Sequence, residues 1–476
     1  MPNRIHYIAH EQTESARRLT IFCLRRKVML SFMSMNKTTL YKNFSRGLGW
    51  NGIFYAIYKS LSTVISFLLY YKLSTGDFSL WATTNSSIYL VILWFDLGLS
   101  KSIPRYAPVF ASNKKTHKSF IIIVCLLQAF LLLPGIPMLW YYMTSRTASL
   151  VLIALALGTF LAEGMVKMLR LTYHAQFHNK QFNLMNTITV LLETFFVLSA
   201  LVFVGSSYNL LLSILISKLC CSTLLALAAG YGLPSLYKDK EYTENKDIDL
   251  NKTIKECASH SVIMGSTTVL TSLSERNFLI PLFTSAIGQE AANMFKIAND
   301  GALLFYRMII KTIGTTDTAL LAHIETMPNK KELLPDAFKK LSTQIASLCI
   351  PVLGVLALFL SNDMYKEYNP LVFKLFFIIA MSYMIESLFS MYERVLEVKR
   401  KYMMLAFSYL PYIAIVAGMF LVSFFGLVNS VLAVQGVRLV QVLLCIYCVR
   451  TYYGLQFPVR FVVRLSLLVA PVCIVA

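Results

Sequence analysis

Four charged residues recur at helical spacing inside an apolar stretch of the chain. They are Lys296, Asp300, Arg307 and Lys311, at steps of four, seven and four residues. This spacing puts all four on one face of a helix. A charge at membrane depth is costly, so such residues normally face a partner or water. The pattern predicts a helix with a cationic face turned towards a hydrated cavity.

Two further apolar stretches carry a polar face. The first face consists of Asn51, Tyr55 and Lys59, followed by Ser62 or Thr63. The second consists of Ser261, Gly265, Thr268 and Ser272, followed by Glu275 and Arg276. Together the three faces predict a cavity of positive potential, which attracts phosphate or carboxylate strongly within apolar walls. We expect a large anionic cargo, held by Lys59, Arg276, Arg307 and Lys311.

Each of these charges also has a purely structural interpretation. Lys296 lies near one end of its stretch, where its side chain can extend to the lipid headgroups. Asp300 then only neutralises Lys296, one turn away. Arg307 and Lys311 form ion pairs with other helices in this interpretation, and so do Glu275 and Arg276.

The remaining charges at membrane depth suggest ion pairs within the bundle. Glu193 and Lys218 lie at similar depth in neighbouring stretches, and Glu386 and Arg438 form a second candidate pair. Spacing predicts one further set, an interfacial ladder of ion pairs formed by Glu163, Lys167 and Arg170. His260 is predicted to be a polar cap near the mouth of the cavity.

Composition places these stretches in a membrane. The 476 residues are 57% hydrophobic and 14% charged, which is more apolar surface than a soluble core hides. Stretches of about 20 apolar residues are long enough to cross a bilayer as helices. We predict twelve spans: 48–72, 79–100, 119–143, 148–171, 183–205, 208–232, 256–284, 288–322, 340–361, 370–395, 402–424 and 427–450. Another apolar run, Val459 to Ala476, is either a thirteenth, short re-entrant or surface helix or the start of a truncated span.

Charge in the connecting loops predicts the orientation. Lysines and arginines concentrate in alternate loops, and the positive-inside rule then places the N-terminus in the cytoplasm. The net charge of +20 is therefore a sign of topology, with contacts to anionic lipids, and does not indicate a nucleic-acid partner.

The spans divide into two groups of six. A basic N-terminal segment, 1–47, without a cleavable signal precedes a first bundle, 48–232. A polar linker, 233–255, leads to a second bundle, 256–450, and to a C-terminal segment, 451–476. This arrangement is typical of transporters in which two similar halves rock around a central cavity.

Signatures of enzymes and of cofactor sites are absent from the sequence. No GxxxxGK[ST] loop is present, so this chain does not hydrolyse ATP by that route, and HExxH and GxSxG are missing too. Cys445 and Cys448 have a CxxC spacing, but their flanks are apolar and no second pair is near. We expect no cofactor and no metal.

Three segments resemble one family of membrane proteins. They are FDLGLSKSIPRY at 95–106, ERNFLIPLFTSAIGQEAANMFKIANDGALLFYRMI at 275–309 and SMYERVLEVKRKYMM at 390–404. These segments are similar to the polysaccharide repeat-unit flippases, the O-antigen (Wzx-type) branch of the MOP exporter superfamily. The resemblance covers the chain from about Met35 onward.

The resemblance implies a fold, a cargo and a location. The expected fold is an all-α polytopic bundle of two pseudo-symmetric six-helix halves, similar to MATE transporters. The expected cargo is an undecaprenyl-pyrophosphate-linked oligosaccharide, which crosses the bacterial inner membrane by alternating access. Lys59, Arg307 and Lys311 would then attract the pyrophosphate or acidic sugars. A polysaccharide polymerase complex is a candidate partner.

The resemblance also implies a cytoplasmic gate, at the end of the second span. Asp96 would pair with Lys101 or Arg105 in one state and release it in another. Gly98 permits a close turn there, and Pro104 ends the helix. Proton or sodium coupling is a further expectation, with Glu193, Glu275 and Asp300 as candidate sites.

Three alternatives remain open at this stage. A MATE-like exporter of drugs or cations shares the fold but is expected to have an acidic cavity. A lipid II flippase would also favour a positive cavity, usually with fourteen helices. A membrane scaffold for polysaccharide assembly would have no transport path, and its cavity cations would be dispensable.

Overall fold

The computed structural model describes most of the chain from residue 54 onward. The described residues are 54, 56–58, 60–100, 102–103, 114–147, 149–175, 179–233, 250–304, 306, 321, 330–361, 370–399, 401–418 and 421–475. Seven of the predicted site residues therefore lie outside the described part: Asn51, Tyr55, Lys59, Lys101, Arg105, Arg307 and Lys311.

Throughout the described part the regular structure is helical, which confirms the all-α fold class. The helices are α1 (60–72), α2 (Thr75–Trp94), α3 (Lys114–Leu132), α4 (Gly135–Thr144), α5 (Leu150–Ala175), α6 (Asn179–Phe203), α7 (Ser207–Gly232), α8 (Leu250–Ser272), α9 (Arg276–Ala286), α10 (289–304), α11 (Lys330–Ser361), α12 (Pro370–Val398), α13 (Tyr402–Tyr409), α14 (Ile413–Gly418), α15 (Val422–Tyr453) and α16 (Val459–Val475).

Six helical segments of the described part are long and apolar enough to cross a membrane. They are Ile122–Thr144, Leu150–Tyr173, Lys180–Phe203, Ser207–Gly232, Pro370–Val398 and Val422–Tyr453. This agrees with the predicted class of multi-pass membrane protein. The total of twelve spans stays a prediction, as does the cytoplasmic N-terminus.

Three spans that the sequence predicts as continuous are divided in the structure. The span 119–143 breaks between α3 and α4, at Pro134, where proline cannot continue the helical hydrogen bonds. The span 402–424 breaks at a 3-10 turn that contains Pro411. The span 256–284 breaks between α8 and α9, at residues 273–275, although no proline or glycine lies there.

Helix α11 begins ten residues earlier than its predicted span. Lys330, Lys331 and Lys339 precede the predicted span, 340–361, but they belong to the first turns of this helix. The cause is a second, amphipathic pattern: Leu334, Phe338 and Leu341 are buried, whereas Lys339 and Lys340 are exposed. A strongly charged stretch can be helical when one face packs on its neighbours.

The apolar run at the C-terminus is a helix, α16, which packs against α11. Phe461, Val462 and Leu465 lie against the main core of the protein. The run is therefore helical and packed on the second half, and the choice between the two alternatives stays a prediction.

We call helices α1–α7 the first half and helices α8–α16 the second half. The first half is built around α7, which packs along α5 and α6, and the second half around the pair α12 and α15. One continuous apolar core includes Leu69 and Phe78 of the first half and Phe283 and Phe295 of the second. We also distinguish the Thr75 end of the bundle, where α2 begins, from the Asp96 end, just beyond the last residue of α2.

Tyr173 tests how the first half is held together. Its ring is fully buried against Phe182, and its hydroxyl donates to the carbonyl of Ala229 at 2.9 Å. We expect Tyr173→Phe to lower the free energy of unfolding by about 1 kcal/mol, since a buried acceptor loses its donor. Thermal unfolding of the purified protein in detergent measures this. The control Tyr231→Phe changes a ring that is 91% exposed and should have no effect.

Candidate functional site: charged clusters along the seam between the halves

The two halves meet along helix α2. This helix packs against α8 and α9 of the second half, and we call the contact region the seam. At the Thr75 end, the side-chain amide of Asn293 donates to the carbonyl of Thr75 at 3.0 Å. Near the other end of α2, the indole N–H of Trp94 donates to Ser272 Oγ at 2.7 Å. Polar contacts therefore join the halves at both ends of α2.

The Asp300 network crosses the seam nearer the Thr75 end. Lys296 Nζ lies 2.7 Å from Asp300 Oδ2 and 2.7 Å from Ser66 Oγ. The hydroxyl of Ser66, on α1, donates to the same carboxylate oxygen at 2.8 Å. The other oxygen, Oδ1, is paired with the guanidinium of Arg276. One carboxylate thus serves two cations and joins α1 of the first half to α9 and α10 of the second.

This geometry excludes the headgroup interpretation of Lys296. The residue is only 3% exposed, and its ammonium lies 4.2 Å from the centre of the Trp81 ring. Asp300 does neutralise Lys296, as the structural alternative predicted, but it pairs with Arg276 as well. The network carries one more positive than negative charge.

At the Asp96 end the two halves touch through bare backbone. The chain turns after α2 with positive φ angles at Leu97 (44°) and Gly98 (75°). A Cβ atom on Gly98 would lie 2.5 Å from the amide nitrogen of Gly265, and one on Gly265 would lie 2.7 Å from the carbonyl carbon of Leu97. Real Cβ contacts are longer than this. Gly98 therefore permits the tight turn, as predicted, and also a close approach to α8 that the sequence did not reveal.

Asp96 anchors this turn within the first half. It is fully buried, and its Oδ2 accepts hydrogen bonds from the amide and the hydroxyl of Ser100 at 3.1 and 2.5 Å. Its Oδ1 lies 3.3 Å from Lys167 Nζ, on α5. The predicted partners Lys101 and Arg105 lie outside the described residues, and the partner that the structure shows is Lys167.

The predicted ladder of Glu163, Lys167 and Arg170 is wrong. Glu163 pairs with Lys218 at 2.9 Å, Lys167 pairs with Asp96, and the Arg170 guanidinium lies over the ring of Phe182 at 5.6 Å. Spacing along one helix places the three residues on one side of α5. In this case each side chain reaches a different neighbour instead of the next charge along the helix.

Lys167 is the partner of Asp96 that sequence reasoning missed. It lies on α5 and holds the turn that carries Gly98 to the seam. The signal available in the sequence was the membrane depth of Lys167, which was attributed to pairing along its own helix.

A hydrogen bond of His260 adds to the closure at the Asp96 end. Its Nδ1 lies 2.6 Å from Ser102 Oγ, across the seam. The imidazole ring also meets the edge of the Tyr402 ring, with centroids 5.1 Å apart. His260 is thus a contact between the halves as well as the polar residue that the sequence predicted.

Two charged clusters lie inside the halves, and both contain a predicted ion pair. In the first half, Lys218 lies 3.6 Å from Glu193 and 2.9 Å from Glu163. This cluster has one more negative than positive charge. In the second half, Arg438 pairs with Glu386 at 3.2 Å.

Metal ligands are not gathered in the described part of the chain. Among those residues, no three His, Cys, Asp or Glu side chains are placed to hold a metal ion.

Comparisons with known proteins find similarity in structure. No protein-family model matches the sequence, and a search of curated proteins finds no match. Among solved structures, a multidrug resistance MATE family transporter of the MOP superfamily, in its outward-facing conformation, has a TM-score of 0.59 at 13% identity, over 86% of this chain and 96% of that chain. The lipid II flippase MurJ, in an inward closed conformation, has a TM-score of 0.54 at 13% identity, over 91% of each chain.

A third similar structure is a MOP superfamily transporter from Pyrococcus furiosus with a binding pocket of reverse polarity. Its TM-score is 0.52 at 12% identity, over 86% of this chain and 96% of that chain. The protein is therefore an all-helical membrane protein with the MATE-like and MurJ-like fold of the MOP superfamily. Identities this low show the fold alone.

Gly265→Ala tests the backbone contact at the Asp96 end. Alanine normally stabilises a helix interior by about 1 kcal/mol relative to glycine. Here we expect destabilisation instead, because the added methyl group collides with the backbone of Leu97. Thermal unfolding of the purified protein shows whether the substitution raises or lowers its stability. The matched control is Gly230→Ala, also in a helix, where an added Cβ meets nothing within 4 Å. If both substitutions stabilise the protein, the contact is not close.

Asp300→Asn tests the network across the seam. The substitution leaves Lys296 buried without a carboxylate, and we expect a loss of about 3 kcal/mol in the free energy of unfolding. The double variant Asp300→Asn with Lys296→Met removes both charges and should recover a large part of that loss. Chemical denaturation of all four members of the cycle measures the coupling. Equal losses in the single and double variants would contradict the pairing.

Proposed function

We propose that this protein is a flippase for an undecaprenyl-pyrophosphate-linked oligosaccharide, such as an O-antigen, capsule or exopolysaccharide repeat unit. The cargo would move from the inner to the outer leaflet of a bacterial inner membrane. The proposal is supported by the MOP fold together with one observation: the Asp300 network at the seam holds two cations, Arg276 and Lys296, around a single carboxylate. A diphosphate is the part of such a cargo that a cationic seam would recognise.

The cations of the proposed path come from both halves. In the described part, Arg276 pairs with Asp300 at the seam, and Lys167 pairs with Asp96 beside the turn that reaches it. Sequence spacing adds Arg307 and Lys311, on the same predicted helical face as Asp300, and Lys59 with Asn51 and Tyr55 on the first span. In this proposal these residues hold the diphosphate and solvate the sugars.

Alternating access requires the contacts at the two ends to open in turn. At the Thr75 end, the Asp300 network must release Ser66. At the Asp96 end, Gly98 must leave Gly265 and Ser102 must leave His260. A bound diphosphate competes with Asp300 for the guanidinium of Arg276, and this competition would loosen the network while cargo is present. The cargo must bind the occluded state best for the cycle to advance.

In the proposed gate, Asp96 and Gly98 have separate tasks. Asp96 holds the turn after α2 through Ser100 and Lys167, and Gly98 provides the contact with the second half. Lys101 and Arg105 follow on the chain, and we assign them to the entrance, where they would meet acidic headgroups first.

An ion gradient is the proposed source of energy. The candidates are Glu193, Glu275 and Asp300. Glu193 belongs to the Lys218 cluster, whose surplus negative charge favours uptake of a proton or a sodium ion. Asp300 is already neutralised by two cations, which disfavours it for this task.

Two other cargoes are compatible with the fold. Lipid II carries the same undecaprenyl pyrophosphate, and the similarity to the MurJ structure extends over 91% of each chain, so a lipid II flippase is the second candidate. A MATE-like drug exporter is expected to have an acidic path, which the seam does not support. Pocket polarity differs within the superfamily, as the Pyrococcus furiosus structure illustrates, so fold alone does not choose between these cargoes.

Complementation tests the proposal directly. A bacterium that lacks its repeat-unit flippase is given the wild-type chain, Arg307→Ala with Lys311→Ala, or the matched control Lys339→Ala with Lys340→Ala. We expect the wild type and the control to restore surface polymer. The Arg307 and Lys311 double variant, with normal expression and insertion, should instead accumulate the lipid-linked repeat unit in the inner leaflet.

Other outcomes identify the alternatives. Rescue of a strain depleted of its lipid II flippase, without rescue of surface polymer, would favour lipid II as the cargo. Full activity of both double variants would mean that Arg307 and Lys311 are structural. A scaffold role also predicts that result, together with the absence of transport by the purified protein in vesicles.

A further inference from the structure

The break between α8 and α9 has no cause in its own residues. Leu273, Ser274 and Glu275 include neither proline nor glycine. Their amides donate to the carbonyls three residues earlier, at 3.2, 3.1 and 3.0 Å, and Glu275 is extended, with φ −82° and ψ 154°. These bonds satisfy the carbonyls of residues 270–272, and the hydroxyl and carbonyl oxygens of Ser274, just beyond α8, are left to accept from donors elsewhere in the fold.

Arg438, on α15, supplies these donors. Its Nε lies 3.1 Å from Ser274 Oγ, and its Nη2 lies 3.3 Å from the carbonyl oxygen of Ser274. Its Nη1 pairs with Glu386 at 3.2 Å. The residue is 6% exposed, and its guanidinium lies 4.6 Å from the centre of the Tyr383 ring. A buried guanidinium thus caps the end of α8 from the interior of the second half.

The residue that follows the break belongs to the Asp300 network. Arg276, the first residue of α9, pairs with Asp300 at the seam. Asn299, the neighbour of Asp300 on α10, accepts a hydrogen bond from the Tyr383 hydroxyl at 3.1 Å. The contacts therefore close a ring, in the order Ser274, Arg438, Tyr383, Asn299, Asp300 and Arg276.

We infer that Arg438 is a positioning residue of the seam. It fixes the break at Ser274, and the break sets the direction of α9. The direction of α9 in turn places the Arg276 guanidinium on Asp300, and thereby the contact with Ser66 of the first half. In the described part, the contacts of Arg438 are with Ser274, Glu386 and Tyr383, so its effect on Asp300 is indirect.

Without the guanidinium of Arg438, the break between α8 and α9 loses its stabilising partner. The carbonyl of Ser274 is buried, so an unmet hydrogen bond there is costly. A continuous helix through residues 273–275 would satisfy it by ordinary helical bonding. That change redirects α9 and withdraws Arg276 from Asp300. The guanidinium of Arg438 stabilises the broken form over the continuous one.

A cross-linking experiment tests this inference without any cargo. Arg146 of the first half contacts Ser285 of α9, at the exposed Thr75 end. The pair Arg146→Cys with Ser285→Cys, treated with a short bifunctional thiol reagent and quantified by mass spectrometry of the linked peptides, reports the position of α9. The control pair, Ser149→Cys with Tyr208→Cys, joins two residues of the first half whose hydroxyls are 3.0 Å apart. Single-cysteine variants measure the background from native cysteines.

The test variant is Arg438→Gln combined with Glu386→Gln, which leaves no unpaired charge in the interior. We expect its cross-linking between positions 146 and 285 to fall about tenfold, the population shift that corresponds to losing a charged hydrogen bond. Cross-linking of the control pair should not change. Ser430→Ala, at a buried position two turns away on α15, should leave both yields as in the wild type.

An unchanged yield between positions 146 and 285 would overturn the inference. So would an equal fall for the control pair, since that shows general loosening of the fold. The second readout is transport, which rests on the proposed function: the same variant should lower the maximal rate of lipid-linked oligosaccharide transfer in vesicles, with little change in half-saturating cargo concentration. If the wild type moves no such cargo, the proposed function fails while the cross-linking result still decides the inference.

Discussion

One carboxylate holds the described part of this structure together at its seam. Asp300 lies among apolar helices, where an ionised group survives only with partners. It obtains them from Arg276 and Lys296, and a hydroxyl of the first half completes the set. Because a charge buried among these helices is not rehydrated when it loses a partner, the loss of any one contact of Asp300 destabilises the whole network. Together with the other polar contacts across the seam, this network gives the two halves a defined relative position.

The same requirement explains why the charged residues are distributed in clusters. Each buried charge has an opposite charge close by: Lys218 has two glutamates, Arg438 has Glu386, and Asp96 has Lys167. Their net charges differ, however. The first-half cluster is negative, and the Asp300 network is positive. This difference between clusters gives the proposed flippase one place suited to cations and another suited to a diphosphate.

The sequence predicted the class of fold well because hydropathy measures the environment of a whole helix. It also predicted two ion pairs, between Lys218 and Glu193 and between Arg438 and Glu386, since charges at membrane depth need partners. The sequence was less informative about which residues of different helices contact one another. Lys296 has a position near the end of its span, yet its burial depends on Trp81 and Ser66 of other helices. The break at Ser274 is invisible in the sequence for the same reason, because its stabilising partner is 164 residues away.

The bare contact between Gly98 and Gly265 has a consequence for how fast such a protein can work. When side chains form the closed contact, their rotamers become ordered each time the contact closes, and this ordering costs conformational entropy in every transport cycle. Two backbone segments in direct contact have no side-chain rotamers to freeze. They also expose few groups that must be rehydrated on separation. A closure of this type can be tightly packed in the closed state and still add little entropic cost to each opening and closing.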